Sequence, residues 1–430
     1  MANICVIGAG HVGLVTGACF AELGNQVICA DDDVQKIEGL KQNVLPFYEP
    51  GIGTMIQRNV AAGRLNFVHR LEDGIAGSEI IFIAVGTPQK SNGEADLTSI
   101  ENVAMRIAAV AEGYKLIVEK STVPIKTWEW INRTILSSCR QGLDFELACN
   151  PEFLREGSAI EDFMKPDRII LGVKSERAGK KLADLYKPIG APVLTTDIST
   201  AELIKHASNS FLALKISYIN AVAAICEKTG ADVMKVADGM GLDKRIGRSF
   251  LNAGIGYGGY CFPKDIAAFI KMAEEIGYDF ELLNAVQKIN DSQRNHVIRK
   301  ARDLLENLKG KSIGILGLSY KPDTDDMREA PSIHIIGELI NQGVSIKAYD
   351  PQAMQSAKFL LPGIEYCQGP YDAASGSDAL IILTEWDEFK SLDLPRIKQL
   401  LKQPVIIDGR NIFDPKVMKE YGFVYSGIGR

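Results

Sequence analysis

Residues 1–198 alternate short apolar runs with stretches of helical periodicity. The segment NICVIGAGHVGLVTGACFAELG predicts a strand from Ile4 to Ile7, a glycine turn, and a helix that ends near Gly24. QVICAD predicts a second strand ending at Asp31, and EIIFIAVGTP, KLIVEKSTVP and ELACNPEFLREG each predict a further strand followed by a loop. Such alternation is typical of a doubly wound α/β domain, so residues 1–198 are predicted to form one.

One long helix is predicted after residue 198. Ser199 and Glu202 match a capping box at its start, and Gly230 is expected to end it. Apolar residues recur along it at spacings of three and four, namely Leu203, Ala207, Phe211, Leu214, Tyr218, Val222 and Ile225. A helix of this kind suggests a connector between domains with one face left for a partner subunit, so residues 199–300 are predicted to form a central helical domain.

Strand and helix patterns alternate again over residues 301–430. SIGILGLSYKPD, VSIKAYDP, DALIILTEW and PVIIDGRNIF are predicted strands, and Asp350 ends the second of them as Asp31 does in the first section. The chain is therefore predicted to be an α/β protein with two Rossmann-like doubly wound domains joined by a long central helix.

The overall composition argues for a globular protein without nucleic-acid or membrane partners. The 430-residue chain carries a net charge of −6, and 24% charged residues are ordinary for a folded protein. The apolar start MANICVIGAG has no basic region, so we expect no secretion signal, no membrane span and a cytoplasmic location. The eight cysteines include no CxxC pair, which argues against a zinc site or a disulfide framework. No metal is expected.

A dinucleotide fingerprint follows the first predicted strand. Gly8, Gly10 and Gly13 form GxGxxG between a strand and a helix, and Asp31 follows Gly8 at close to the separation of about 20 residues at which an acid accepts ribose hydroxyls. The pyrophosphate would lie at the helix N-terminus. Because Asp31 would repel a 2′-phosphate, NAD is favoured over NADP, although Lys36 nearby weakens that inference.

Hydroxyl and acidic residues follow the other predicted strands of the first section. Thr87, Ser121 and Thr122 stand at strand ends, where open α/β sheets bind ligands, so they are candidate cofactor or substrate contacts. Glu152 and Glu156 are four residues apart and are predicted to share a helical face suited to acid–base chemistry.

The third section lacks the glycine fingerprint. Gly314 and Gly317 are present, but the turn continues as LSYK, so this domain is expected to bind something other than a second dinucleotide. Lys321, Arg328 and Arg410 lie at or beyond predicted strand ends, where they are suited to phosphate oxygens.

The glycine-rich stretch GYGGYCFPKD places Cys261 beside a lysine and Asp265. A thiol next to a cation can be held as thiolate. Lys205 and Asn209, four apart on the long helix, can point together at one site, and with Asp265 they can supply a base and an oxyanion-polarising group for hydride removal from an alcohol. A thiolate becomes useful when the aldehyde is oxidised again, because its hemithioacetal still carries a hydride and yields a hydrolysable thioester. The sequence leaves open whether Lys205 or Asp265 takes the first proton.

The chain resembles the UDP-glucose/GDP-mannose dehydrogenase family along essentially its whole length. The motifs that carry the resemblance are GAGHVG at Gly8, VGTP at Val85, STVP at Ser121, NPEFLREG at Asn150, ELIKHASN at Glu202, GYGGYCFPKD at Gly256, SYKPDTDDMRE at Ser319 and DGRNIF at Asp408. The resemblance implies two NAD-binding-like domains that flank a long dimerising helix. It also implies one site that oxidises the C6 alcohol of a nucleotide sugar to a carboxylate with two NAD⁺ and releases no aldehyde.

The resemblance also implies roles for individual residues. The implied catalytic residues are the nucleophile Cys261, the oxyanion-stabilising Lys205 and Asn209, and Asp265, Thr122 and Glu156 in proton transfer and hydrolysis. The implied cofactor contacts are Gly8, Gly10, His11, Val12, Gly13, Asp31, Lys36, Thr87, Ser121, Glu156, Lys264 and Arg328. The implied substrate contacts are Glu152, Phe153, Leu154, Lys205, Asn209, Arg245, Gly258, Lys321 and Arg410. Arg245 matches an arginine that reaches the substrate of the neighbouring subunit, so a homodimer or larger oligomer is expected.

Two departures from the family pattern concern substrate choice. Tyr260 stands where family members more usually carry a smaller residue, and Asn411 stands where many carry a second basic residue after Arg410. The segments FYEPGI and PDRIILG resemble the UDP-glucose branch more than the GDP-mannose or N-acetylhexosamine branches. UDP-glucose is thus the expected substrate, with those other nucleotide sugars as alternatives.

Two further hypotheses remain open on the sequence. A single-step NAD-dependent dehydrogenase of a hydroxy acid or polyol would also use a lysine and an asparagine four apart on a helix, and Cys261 would then be inert. A redox-sensing protein that binds NAD without turnover would keep GxGxxG, but it would not need Lys205, Asn209, Cys261 and Asp265 together.

Overall fold

The computed structural model describes residues 1–90, 92–139 and 143–430, which form two compact units. The first unit comprises residues 1–208 and 267–278, and the second comprises residues 209–266 and 279–430. The boundaries at 198 and 300 stay a prediction.

The first unit is built on a sheet with helices on both faces. Its strands are β1 (Asn3–Ile7), β2 (Gln26–Ala30), β3 (Leu65–Val68), β4 (Ile80–Ile83), β5 (Tyr114–Glu119), β6 (Asp144–Cys149), β7 (Ile169–Val173) and β8 (Val193–Thr196). Its helices are α1 (His11–Glu22), α2 (Val34–Lys41), α3 (Ile52–Ala61), α4 (Leu71–Ala76), α5 (Thr98–Val110), α6 (Thr127–Ser138), α7 (Ala159–Met164) and α8 (Glu176–Tyr186).

The strand order of this sheet is β3-β2-β1-β4-β5-β6-β7-β8. Neighbouring strands are parallel, except that β6 and β7 run antiparallel. Alternate residues of β1 enter two separate cores, Ile4 and Val6 on one face and Cys5 and Ile7 on the other, as a doubly wound sheet requires. The strand order reverses between β1 and β4, and open α/β sheets bind ligands outside the carboxyl ends of the strands at such a point.

Four helices follow β8 along the chain. They are α9 (Ile198–Thr229), α10 (Val233–Gly241), α11 (Cys261–Glu275) and α12 (Glu281–Leu305). Helices α9 and α11 each contribute residues to both units.

The second unit holds a six-stranded parallel sheet. Its strands are β9 (Ser312–Leu316), β10 (Ser345–Tyr349), β11 (Glu365–Tyr366), β12 (Ala379–Ile382), β13 (Val405–Asp408) and β14 (Val424–Ser426), in the order β11-β10-β9-β12-β13-β14. Its remaining helices are α13 (Pro331–Asn341), α14 (Met354–Leu360), α15 (Pro370–Ala374), α16 (Asp387–Lys390), α17 (Leu394–Leu400) and α18 (Pro415–Glu420). The predicted α/β architecture with two Rossmann-like sheets and a long central helix is confirmed, and the short strands β11 and β14 extend the four predicted strands of this sheet at its edges.

The predicted capping box at the start of α9 is wrong. The helix begins at Ile198, and Asp197 caps it by accepting hydrogen bonds from the N–H of Thr200 (2.9 Å) and its hydroxyl (2.6 Å). Glu202 instead faces the interior of the first unit, where its carboxylate accepts the N–H of Lys126 (2.7 Å) and of Trp128 (3.4 Å).

The apolar stripe of α9 is largely exposed, and the opposite face is buried. Phe211, Tyr218 and Ile225, spaced seven residues apart, are 61%, 51% and 61% exposed, whereas Lys205 and Asn209 are buried. The described residues include one helix, α9, long and apolar enough to cross a bilayer by those criteria alone. Because its buried face carries charged and amide side chains within two compact units, α9 is a core helix.

Candidate active site

The turn between β1 and α1 has the geometry of a pyrophosphate cradle. A Cβ at Gly13 would collide with the carbonyl oxygen of Gly8, so the turn closes only with glycine there. A Cβ at Gly10 would meet nothing within 4 Å, and no side chain caps the start of α1, so no capping side chain competes there for an anion. The residues present therefore fit a dinucleotide.

The side chain of Asp31, directly after β2, is held by contacts with other residues of the first unit. Its Oδ2 accepts the N–H of Ala9 (2.7 Å), and the ammonium of Lys36 lies 3.0 Å from each carboxylate oxygen. Val12 follows His11 in the first turn of α1, and Nε2 of His11 lies 2.7 Å from a carboxylate oxygen of Glu49.

The loops after β4 and β5 are joined by hydroxyl groups. The hydroxyl of Thr87 donates to the carbonyl of Thr122 (2.9 Å), and that of Ser121 donates to the carbonyl of Val85 (2.7 Å). These three candidates therefore lie together at the carboxyl edge of the first sheet, next to the β1–α1 turn.

Lys205 forms a buried ion pair with Glu152. Its ammonium lies 2.7 Å from the carbonyl oxygen of Glu152 and 3.1 Å from the carboxylate, and the two side chains are 4% and 5% exposed. The same carboxylate accepts the N–H of Leu154 (2.6 Å), and the ring of Phe153 lies against the guanidinium of Arg168 (3.6 Å). The structure thus brings Lys205 together with three of the predicted substrate contacts.

The predicted helical face shared by Glu152 and Glu156 is wrong. Residues 150–158 lack regular structure, and α7 begins only at Ala159. The turn that Glu152 makes with Leu154 uses the carboxylate as a local acceptor, which replaces the first helical hydrogen bonds.

A second buried network surrounds Asp265. The amide of Asn209 donates to one carboxylate oxygen (2.6 Å), and the ammonium of Lys264 donates to the other (2.7 Å). Burial lowers the pKa of Lys264, but Asp265 and then Cys261 and Tyr260 more than offset this and raise it overall. Lys264 therefore stays a cation three residues beyond Cys261.

Cys261 differs from most other cysteines of the chain. All eight lie in the described residues; six are buried, whereas Cys261 and Cys139 are partly exposed. Cys261 is also the first residue of the 15-residue helix α11, where the positive end of the helix dipole stabilises a thiolate. Exposure, helix position and the nearby cation all favour a reactive thiol over a packing residue.

The glycines before Cys261 are required by close packing within the second unit. A Cβ at Gly258 would overlap the carbonyl of Glu329, and the N–H of Gly259 donates to the carbonyl of Arg328 (2.9 Å). The guanidinium of Arg328 lies over the ring of Tyr260 (4.3 Å), so the unusual tyrosine stacks on a predicted ligand contact.

The cations of the second sheet differ in their surroundings. Arg410 donates to the carbonyls of Leu383 (2.8 Å) and Tyr320 (3.0 Å), so it ties loops together, and a substrate contact by it stays a prediction. Lys321 lies beside the ring of Tyr320 (5.7 Å) at the β9 turn. The side chain of Arg245 is 89% exposed and pairs with Asp243 (2.6 Å).

Asp350 shows why the second sheet lacks a dinucleotide turn. Its carboxylate accepts the N–H of Leu318 (2.7 Å), Ser319 (3.1 Å) and Ala353 (2.7 Å), and the indole of Trp386 (3.2 Å). Asp350 corresponds in position to Asp31, the predicted acceptor of ribose hydroxyls in the first sheet. In the second sheet this carboxylate is already hydrogen-bonded to groups of its own chain.

Two buried charged residues beside STVP were missed by the sequence analysis. The ammonium of Lys120 donates to the carbonyl (3.2 Å) and side-chain oxygen (3.1 Å) of Asn150, and burial lowers the pKa of Lys120 to about 8. Burial, with Glu202 nearby, raises the pKa of Glu119 well above its ordinary value, and burial also raises that of Glu202 to about 7. The sequence did offer a signal, because Glu119 and Lys120 are adjacent charged residues at the end of an otherwise apolar strand.

Comparison with known proteins identifies the family. Models of the UDP-glucose/GDP-mannose dehydrogenase family match three segments: the NAD-binding domain at residues 2–190, the central domain at residues 199–292 and the UDP-binding domain at residues 314–415. The chain is 48% identical over 431 residues to the UDP-glucose 6-dehydrogenase TuaD of Bacillus subtilis, which covers 100% of this chain and 94% of that protein.

Solved structures agree with this assignment. A UDP-glucose dehydrogenase from the archaeon Pyrobaculum islandicum superposes with a TM-score of 0.94 at 38% identity, covering 100% of this chain and 98% of that one. A UDP-D-ManNAc dehydrogenase from Pyrococcus horikoshii gives 0.86 at 28% identity and 99% coverage of both chains. This chain therefore belongs to the UDP-glucose/GDP-mannose dehydrogenase family, and its N-terminal sheet is the NAD-binding domain of that enzyme family.

Proposed function

We propose that the protein oxidises the C6 alcohol of UDP-glucose to a carboxylate in two NAD-dependent steps, giving UDP-glucuronate through a hemithioacetal and a thioester on Cys261. The observation that carries this proposal is the partly exposed Cys261 at the start of α11, adjoining the Asn209–Asp265–Lys264 network. A dehydrogenase that stopped at the aldehyde would need no such thiol.

The residues divide the chemistry between them. NAD⁺, when bound, accepts one hydride in each step. Lys205 or Asp265 takes the alcohol proton, and Lys205 with Asn209 stabilises the negative oxygen. The Cys261 thiolate adds to the aldehyde carbon, and the hemithioacetal loses a proton and a hydride to become the thioester. A water held near Thr122, with Asp265 and Glu156 assisting proton transfer, opens the thioester and regenerates the thiol.

Substrate choice rests on the relatives and the second sheet. The UDP-glucose 6-dehydrogenase of Bacillus subtilis is 48% identical, against 28% for the UDP-D-ManNAc dehydrogenase. The UDP-binding domain with Lys321 suits a diphosphate. The alternatives are the same chemistry on GDP-mannose or a UDP-N-acetylhexosamine, and a single-step hydroxy-acid dehydrogenase, which would not need a UDP-binding domain.

The ratio of NADH formed to UDP-glucose consumed is expected to be about two, because oxidation from alcohol to acid removes four electrons. We would measure NADH by absorbance and the sugar nucleotides by chromatography, with GDP-mannose and UDP-N-acetylglucosamine as comparison substrates. A ratio of about one would favour the single-step alternative. Faster turnover of either comparison substrate would reassign the specificity.

We also propose a homodimer in which the exposed stripe of α9 packs on a second copy. Phe211, Tyr218 and Ile225 lie on one helical face, and burying such side chains stabilises an interface by roughly 1.5–3 kcal/mol each. We propose a cytoplasmic location as well, since all eight cysteines are free thiols, which that compartment maintains.

The double substitution Phe211→Asp with Ile225→Asp is expected to convert the dimer to a monomer, because each aspartate would place a charge in the apolar interface. Analytical ultracentrifugation would measure the mass. Phe359→Asp is the matched control, since Phe359 is 88% exposed on α14 and should leave the dimer intact. A wild-type monomer, or a dimer that survives the double substitution, would refute this interface.

A further inference from the structure

Glu49 is a buried carboxylate that joins two ligand-binding segments of the first unit. It lies between α2 and α3, and its side chain is 1% exposed. One oxygen is 2.7 Å from Nε2 of His11 and accepts the N–H of Gly157 (2.7 Å), and the other accepts the N–H of Ala159 (2.8 Å). All its partners therefore come from distant parts of the chain.

The first contact leads to the cofactor turn. His11 is the first residue of α1 and follows Gly10 directly, so its ring moves with the N–H groups that face the pyrophosphate. Phe47 packs on the same ring, with centroids 4.8 Å apart, which fixes the ring beside Glu49.

The other contacts lead to the irregular segment 150–158. Gly157 lies near the end of this segment, which carries Glu152, Phe153 and Leu154, and Ala159 begins α7 directly after it. The backbone of Glu49 is anchored as well, because its carbonyl accepts the N–H of Ile52 at the start of α3 (3.3 Å). A single side chain, held at its own backbone, therefore connects His11 with the end of segment 150–158.

We propose that Glu49 is a positioning residue that transmits occupation of the NAD site to segment 150–158, so that the cofactor orders the substrate contacts. The role of that segment in substrate binding rests on the proposed function. The chemistry suits a link, because a carboxylate can accept from all three groups at once. A glutamine has one acceptor oxygen and would turn an NH₂ group toward at least one of these donors.

Hydrogen exchange of the full chain, with and without saturating NADH and without any sugar nucleotide, tests the link. In the wild type, NADH is expected to slow exchange of residues 152–156 by about fivefold or more. In Glu49→Gln the NADH-induced change is expected to fall below about twofold, although NADH fluorescence confirms saturation. Glu161→Gln, the same substitution at an exposed glutamate of α7, should keep the wild-type response.

Two results would overturn the proposal: no NADH response of residues 152–156 in the wild type, or a full response in Glu49→Gln with NADH bound. Should Glu49→Gln not fold, His11→Phe keeps a ring against Phe47 and removes the nitrogen, and it should also lose the response. Because NADH alone is used, failure here is separate from failure of UDP-glucose to be oxidised with a ratio of two.

Discussion

Replacing Cys261 with serine is expected to lower kcat for UDP-glucuronate formation by about 1000-fold or more. A serine hydroxyl at the start of α11 is not ionised at neutral pH, so the aldehyde cannot be held as a covalent adduct that carries the second hydride. The first step, oxidation of the alcohol, does not use the thiol, so the variant can still form NADH in that step. Because the second step is blocked, this NADH formation should be slow at most. Steady-state NADH production and product chromatography would measure both effects.

Cys139→Ser is the matched control for this substitution. Cys139 is the other partly exposed cysteine, and its thiol donates to the carbonyl of Leu136 (3.8 Å). Its replacement should leave kcat within about twofold of the wild type, as is usual for surface substitutions. If Cys261→Ser kept comparable activity and a ratio of two, Cys261 would be a packing residue and the thioester route would be wrong.

Local patterns of the sequence predicted five of the eight strands of the first sheet and four of the six strands of the second, whereas β3, β7 and β8 of the first sheet were not predicted. The strand at Ile4–Ile7, the glycine turn and the following helix depend on neighbouring residues, such as the close contact of Gly13 with Gly8. Strand–helix alternation favours parallel neighbours, and β6 with β7 is the exception in the first sheet. The edge strands β11 and β14 were missed because two or three residues carry too little periodicity.

The orientation of α9 could not be predicted, because periodicity shows that a helix has two faces and not what each face contacts. The apolar face is exposed, and the buried face carries Lys205 and Asn209, whose side chains meet carboxylates far away in the sequence. Lys205 pairs with Glu152, and Asn209 bonds Asp265, across 53 and 56 residues respectively. Residue type and spacing indicated these residues as candidates, but their pairing depends on tertiary structure.

The loop residues also show that tertiary contacts cannot be predicted from local sequence patterns. Glu152 and Glu156 have the spacing of a helical pair, yet the competing turn to Leu154 and the ion pair with Lys205 hold Glu152 in an irregular segment. Glu49 carried no signal beyond its place in FYEPGI, because its partners lie in two other segments of the chain.

Lys205→Met is expected to lower kcat by about 100-fold or more and to destabilise the first unit as well. The ammonium is the cation proposed to stabilise the negative oxygen, and removal of one such donor usually costs two to three orders of magnitude, roughly 10²–10³. The substitution also leaves the buried carboxylate of Glu152 without its ion partner, which should cost about 3–5 kcal/mol. Steady-state kinetics and thermal unfolding would measure the two effects on the same protein.

The double variant Lys205→Met with Glu152→Gln separates the two effects. A neutral amide at residue 152 removes the unpaired buried charge, so the double variant should recover most of the unfolding temperature that Lys205→Met loses. Its kcat should stay low, because no cation has been restored. Lys228→Met, at an exposed lysine in the last turn of the same helix, should change neither quantity. Recovery of kcat together with stability in the double variant would mean that Lys205 acts only by holding Glu152, and the oxyanion role would then fall to Asn209.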